Sequence, residues 1–340
     1  MKKLFIVLLA CLGLAACNKE NNFPDFDYTT GYFPYQFPER ILVLGDYIFE
    51  NENDNNHQFV ISAAMGGVYK NKKDRVFNIQ VDESLCKNIY FSNGDPIKAL
   101  PQNYYTMENT SQIVIPSGQV NGGVKVQLTD AFFADPDAIK NTYVVPVRMI
   151  SSNDVDSILV GSTTLANPDI RIASDWTIAP KNFTMFGIKF INEWHGNNFH
   201  YGKCTVTDAS GAVLENKEYK AKYVESNEVV KLVTTGRYTV SLSTQLNSGI
   251  WSKKITLNFA FSGDNCTITG PDDADYTVTG TGDWKQYDTT DYNSFGNKKR
   301  YALTYNFTLI EKATGKKYTA SDVLVQRDRA VTLETYTPKL

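Results

Sequence analysis

Between residues 76 and 147 apolar and polar side chains alternate with a period of two. Val76-Phe-Asn-Ile-Gln-Val-Asp82 reads as a strand with one buried face. Gln112-Ile-Val-Ile115 is a short β-branched run closed by Pro116-Ser-Gly118, where Pro removes a ladder donor and Gly permits a turn. Val124-Lys-Val-Gln-Leu128 alternates again. Tyr143-Val-Val-Pro-Val147 adds a strand in which Pro146 predicts an edge or a bulge. Further upstream, Arg40-Ile-Leu-Val-Leu44 and Phe59-Val-Ile-Ser-Ala-Ala64 predict two more strands, separated by an amide-rich loop at 51–58 with nothing to bury. The best helix candidate in this half is a short turn at 135–140, with Pro136 in its first turn behind Asp135 as cap.

The pattern lapses over 161–180, where small and polar residues and two prolines predict a domain boundary; 169–178 reads as a bridging strand. It resumes at Phe183-Thr-Met-Phe-Gly-Ile-Lys-Phe-Ile191. Strands are then expected near 201–207, 219–224, 229–234, 237–243, 253–261, 275–281, 300–311, 317–325 and 330–336. Asp208-Ala-Ser-Gly211 and Ala313-Thr-Gly315 read as hairpin turns. Strands spaced this regularly predict an antiparallel barrel, which leaves no exposed edges. The fold class is therefore all-β.

Two resemblances rest on these segments. Val81-Asp82, Leu100-Pro101 with Tyr104-Tyr105, the 113–118 segment and the 143–147 strand are similar to the adhesin-like, immunoglobulin-type domain of Bacteroidetes lipoproteins. Phe186-Gly-Ile-Lys-Phe-Ile-Asn192 with Trp194-His-Gly196, and Asp322-Val-Leu-Val-Gln-Arg-Asp-Arg329, resemble the lipocalin-like C-terminal domain that accompanies it. The resemblance implies a β-sandwich over 35–165, a linker over 166–180 and a lipocalin-like β-barrel over 181–340. It also implies a setting in glycan-utilisation systems, and it brings no catalytic residue.

The N-terminus changes the picture of location. Met1-Lys-Lys3 is basic, 4–14 is apolar, and Leu14-Ala-Ala-Cys17 has the form of a lipobox. The apolar run is too short to span a bilayer and reads as a signal peptide over 1–16. Cys17 would carry the lipid, and 17–34 would be a tether to the outer membrane, at the cell surface or, alternatively, on the periplasmic face. Losing Lys2 and Lys3 leaves 32 of 34 basic residues against 37 acidic, a charge of −5. That argues against a nucleic-acid partner. Cys86, Cys204 and Cys266 lie far apart, without metal-ligand spacing, and read as buried thiols, with one disulfide and a free cysteine as the alternative.

Chemistry is sparse. His57, His195 and His200 have no common face or third ligand, and no nucleophile or nucleotide motif occurs, so no cofactor, metal or catalytic residue is expected. Asp272-Asp273 with Asp275 reads as a solvated turn, with a Ca²⁺ loop as the alternative. Asp322, Arg327, Asp328 and Arg329 read as a salt-bridged network, with an anion site as the alternative. Asp156-Ser-Ile158 and Asp288-Thr-Thr290 fit a short O-glycosylation pattern. Aromatics are more telling: 20 Tyr, 19 Phe and 4 Trp, with every Trp in the second half. Sugar rings stack on flat aromatic faces edged by amides. Residues 283–298 read as a loop carrying Trp284, Tyr287 and Tyr292 with Asn293 as polar edge, and these are the candidate ligand-binding residues, with a place in the barrel core as the equal alternative for Trp284 and Tyr292. Trp194 instead reads as a barrel plug. The expected function is non-catalytic glycan binding beside other glycan-uptake proteins. The rival readings are an adhesive or structural subunit contacting protein partners and, last, a glycosidase with dispersed carboxylates.

Overall fold

A computed structural model describes residues 28–272, 274–332 and 334–340. The expected signal peptide, Cys17, the first part of the tether and Asp273 lie outside the described residues.

Eleven strands precede the barrel: β1 (Thr30–Tyr32), β2 (Pro38–Val43), β3 (Gln58–Gly66), β4 (Arg75–Val81), β5 (Lys98–Ala99), β6 (Tyr105–Met107), β7 (Gln112–Ile115), β8 (Asn121–Leu128), β9 (Tyr143–Ser151), β10 (Ser157–Ile158) and β11 (Phe183–Ile191). One sheet runs β10-β1-β3-β8-β6, and the facing sheet contains β2-β11-β9-β4-β7 with β5 on β9. Phe59, Ile61 and Ala63 of β3 and Val124 and Val126 of β8 meet Phe77, Ile113, Val145 and Phe190 from the other sheet in one core. This is the expected sandwich. The second sheet is also covered on its outer face, by Leu85, Ile89, Phe91 and Ile97 packed on Val144, Phe183 and Met185. Burial on both faces explains why β9 and β11 read as nearly continuous apolar runs.

Several details differ from the pattern-based expectation. Pro146 lies in a central strand, registered against Met185 of β11. Its missing N–H falls where the partner on the other side changes from β4, ending at Val81–Val147, to β5, at Ala99–Val144. The short helix is Asp130–Ala134, and Asp135 caps a following turn by accepting from the Asp137 amide at 2.8 Å. The 51–58 segment holds the helix Glu52–Asn55, which buries Asp54 against the Val43 amide (2.9 Å) and the Arg40 guanidinium (2.5 Å).

The barrel comprises β12 (Gly196–Thr207), β13 (Val213–Tyr219), β14 (Glu228–Gly236), β15 (Thr239–Gln245), β16 (Lys254–Ser262), β17 (Asn265–Thr269), β18 (Tyr276–Tyr287), β19 (Arg300–Glu311) and β20 (Lys317–Asp328). Strand β12 closes it. One side pairs with β20 along its length, while the other takes β14 with residues 196–200 and β13 with residues 202–207. The result is an eight-stranded antiparallel ring with β13 appended. The interior is filled by Trp194, Trp251, Trp284, Phe259, Tyr305, Leu324 and their neighbours. A polar group sits among them: Asp322 accepts from Tyr219 and, at 3.3 Å, from the Tyr305 hydroxyl, and pairs with His200 Nε2 at 3.1 Å. Cys204 and Cys266 are buried free thiols and Cys86 is half-buried; burial pushes each up to about 12.

The seam between domains lies at 192–195, not at 166–180. Strand β11 pairs antiparallel with β9 and parallel with β2, so it belongs to the sandwich. The 169–178 segment forms turns and a 3-10 helix at Ala173–Asp175 rather than a bridging strand. The end of the chain leaves the barrel too, and β21 (Glu334–Thr335) pairs with β2.

Candidate functional site

The seam is built by the two motifs that carried the barrel resemblance. Trp194 stacks on Phe261 at 4.0 Å and 8°, plugging the barrel end that meets the sandwich. His195 Nδ1 accepts from the Thr234 amide at 3.1 Å, and burial holds the ring neutral, with its pKa lowered to about 4. At Gly196 φ is +145°, and a Cβ there would lie 2.2 Å from the Asp328 carbonyl oxygen. Arg329 is 4% exposed and donates to three backbone carbonyls: His195 (2.9 Å), Asp46 (2.8 Å) and Asn192 (2.5 Å). It thus ties sandwich, connector and last barrel strand together. Desolvation lowers its pKa to about 10, so it stays charged at neutral pH.

The residues nominated from sequence are divided between two faces. Strand β18 continues through Tyr287, so 283–287 is strand rather than loop. Trp284 points into the barrel at 3% exposure and stacks on Tyr301 at 5.5 Å and 9°. Tyr287, three positions on, takes the opposite face, as strand alternation requires, with its hydroxyl 3.2 Å from Thr304 Oγ1. Tyr292 and Asn293 join it there as cover over the barrel wall. The Tyr292 hydroxyl donates to the Ala221 carbonyl (2.7 Å) and accepts from Asn227 (3.0 Å), and its ring meets Tyr201 edge-on at 5.1 Å. Asn293 is 8% exposed and accepts from the Tyr201 hydroxyl. These four residues therefore do not form an exposed aromatic platform. Trp284 is core, and Asn293 has its acceptor occupied.

A cleft of about 620 Å³ opens beside them, where the 46–49 loop of the sandwich faces the barrel rim. Gly45, at φ +81°, starts the loop, and its Cβ position lies 2.4 Å from Glu193 Cβ, so only glycine fits. Asn51 Nδ2 donates to the Val43 and Gly45 carbonyls (2.7 and 2.8 Å), and Asn55 Oδ1 accepts from the Gly45 amide (2.8 Å). The amide-rich segment thus pins the loop. It presents Ile48 and Phe49, 73% and 64% exposed, with Tyr47 edge-on to Phe49 at 5.3 Å. Across the cleft stand Tyr301, Gln286, Gln326, Lys298, Lys299, Arg300 and Arg327. Tyr301 is backed by Trp284, and burial, with the Asp46 and Glu193 carboxylates nearby, raises its hydroxyl pKa.

Sequence reasoning missed Tyr47, Phe49 and Tyr301 because they are distant in the chain and become neighbours only through the seam. The Lys298-Lys-Arg300 run and the Arg327–Arg329 charges were the available signal. The expected salt-bridged network of Asp322, Arg327, Asp328 and Arg329 does not form: Asp322 pairs with His200, Arg329 serves backbone carbonyls, and only Arg327 and Asp328 meet, at 3.5 Å. Among the described residues no group of three or more His, Cys, Asp or Glu side chains has metal-holding geometry. Asp275 pairs with Lys253 at 2.9 Å.

A family model described as an N-terminal domain matches residues 26–156, and the model of the Domain of unknown function DUF5627 matches residues 193–330. No curated protein matches the chain. Among solved structures, a structural-genomics protein of unknown function from Bacteroides ovatus is 34% identical, with a TM-score of 0.85 over 92% of this chain and 99% of that one. A second Bacteroides ovatus structure of unknown function is 12% identical over 91% of this chain and 99% of that one, with a TM-score of 0.41. The chain belongs to the family of the first Bacteroides ovatus protein.

Proposed function

We propose that this protein is a lipid-anchored outer-membrane protein, facing the cell surface, that holds a glycan without cleaving it for a polysaccharide-uptake system. The observation that carries the reading is the seam cleft, which Tyr47, Phe49 and Tyr301 line together with Gln286 and Gln326. Aromatic faces and amide edges match the apolar faces and hydroxyl rims of sugars. The filled barrel interior supports an external site rather than a ligand in the lumen. The lipobox at Leu14-Ala-Ala-Cys17 supports the anchor.

The test is affinity electrophoresis of the full-length chain, in detergent, against a polysaccharide panel. Retention by one glycan class, with glycan length unchanged, is the expected result. Tyr47→Ala with Phe49→Ala should weaken it at least tenfold, each ring contributing on the order of 1 kcal/mol, while melting stays near that of the parent. Shortening of the glycan would make the protein an enzyme. Retention of no glycan would leave exposed Ile48 and Phe49 as a protein-docking patch and sink the proposal.

A further inference from the structure

Resting on the glycan reading, we infer that the cleft selects glycans bearing carboxylate or sulfate groups, with Arg300 and Arg327 as the anion-contacting residues. Five bases line the cleft, Lys298, Lys299, Arg300, Arg327 and Arg329, against two carboxylates, Asp46 and Asp328. That excess stands on a chain whose net charge is −3. The carboxylates leave much of it uncompensated. Arg327 meets Asp328 only at 3.5 Å, and Lys299 is engaged outside the cleft by Asp288 at 2.8 Å. Arg300 has no carboxylate partner among the described residues. Its Nη1 reaches the Arg327 carbonyl at 3.5 Å, a long contact, and its Nε is buried without a hydrogen-bond partner.

Both guanidiniums lie over rings, Arg300 with no acid beside it and Arg327 with only the long contact to Asp328. Arg300 lies 3.9 Å over Phe295, Phe295 meets Phe199 edge-on at 5.3 Å, and Arg327 lies 5.9 Å over Phe199. A cation held on an aromatic face keeps its N–H edge available, and a planar guanidinium can donate two parallel hydrogen bonds to a carboxylate or sulfate. Burial of Arg300 lowers its pKa, the sign of a cation that an incoming anion would stabilise. Tyr47, Phe49 and Tyr301 would stack on the ring carrying the acid group, so charge and sugar face are read together.

The test is titration calorimetry of the full-length chain with polygalacturonate, a sulfated glycosaminoglycan, a neutral β-glucan and a DNA oligonucleotide. Binding of the uronate or the sulfated glycan, and neither β-glucan nor DNA, is expected, with affinity falling at least tenfold from 50 to 500 mM salt. The arm that binds distinguishes carboxylate from sulfate. Arg327→Gln with Lys298→Gln, both exposed, should cost at least tenfold at unchanged melting temperature, and Arg300→Gln more. Salt-insensitive binding of the neutral glucan, untouched by these variants, would overturn the acidic selectivity and leave the glycan reading standing. Equal binding of DNA would reduce the effect to bulk charge, and binding of nothing would remove both.

Discussion

Replacing Trp284 by alanine separates a core ring from a binding ring. The side chain is 3% exposed, so nearly all of its area, about 150–250 Å² for an aromatic, is out of water. At roughly 25 cal/mol per Å² that burial contributes about 4–6 kcal/mol, an upper bound because the unfolded chain is already partly compact. Measured Trp→Ala losses of about 3–5 kcal/mol agree with it. For a domain of this size each kcal/mol moves the melting temperature by about 2–4 °C, so a fall of about 6–20 °C is expected. The parallel stack with Tyr301 should disappear as well, loosening the wall of the cleft. Scanning calorimetry on Trp284→Ala beside Tyr287→Ala is the assay, since Tyr287 is half-buried on the outer face and should cost about 1–2 kcal/mol. Equal and small shifts would refute the assignment of Trp284 to the interior and restore the exposed-loop reading of 283–298.

Other consequences follow from the buried polar groups. Burial tends to lower the His200 pKa, but the Asp322 and Glu228 carboxylates outweigh it and raise it to about 9. Its contribution is therefore full below pH 6.5 and lost as pH rises toward 9, while neutral His195, lowered to about 4, gives up its own as pH falls from 6.5 toward 4. Denaturant melts should show a maximum near pH 6–7 set by these two residues, and His200→Gln should flatten the alkaline side. Asp135→Ala strands the hydroxyls of Tyr104 and Tyr143, which donate to it at 2.9 and 2.5 Å, and should cost about 1–3 kcal/mol in urea melts, against less for Tyr143→Phe. Arg329→Met leaves the Asp46, Asn192 and His195 carbonyls without their donor, and proteolysis at the seam should accelerate while each domain keeps its strand signature by circular dichroism.

The fold was legible in the sequence wherever one face of a strand is buried. Residues 76–82, 112–115 and 124–128 alternate because the sandwich core lies on one side of them. Strand β9 kept its apolar run but lost its apparent edge position, because the proline gap coincides with a change of partner that only pairing reveals. The domain boundary misled for a related reason: a stretch of turns with prolines reads as a linker, yet β11 crosses back to complete the first sheet. The candidate site was less legible. Trp284 looked exposed because Asp283 and Lys285 on either side of it are polar, as an inward residue on a half-solvated strand requires, and because Gln286, on its own face, already lies at the barrel rim. Tyr104 and Tyr143 of the sandwich motif converge on Asp135, a contact between residues 31 and 8 positions away from it.

The seam explains why both motif sets matter to one site. Trp194-His-Gly196 and Arg327-Asp-Arg329 are far apart in the chain, yet Gly196 lets β12 pass against the Asp328 carbonyl and Arg329 reaches back to His195. The same Arg329 holds the carbonyl of Asp46, the first residue of the loop that carries Tyr47 and Phe49. A rim fixed from both domains spares a ligand the cost of ordering it, which is how a shallow exterior cleft gains affinity without a deep pocket. If that reasoning holds, Arg329→Lys, which keeps the charge but cannot serve three carbonyls in one plane, should weaken glycan binding more than it lowers the melting temperature of the barrel. Unchanged binding in that variant would mean that the cleft is shaped by the barrel rim alone and that the clamp serves stability only.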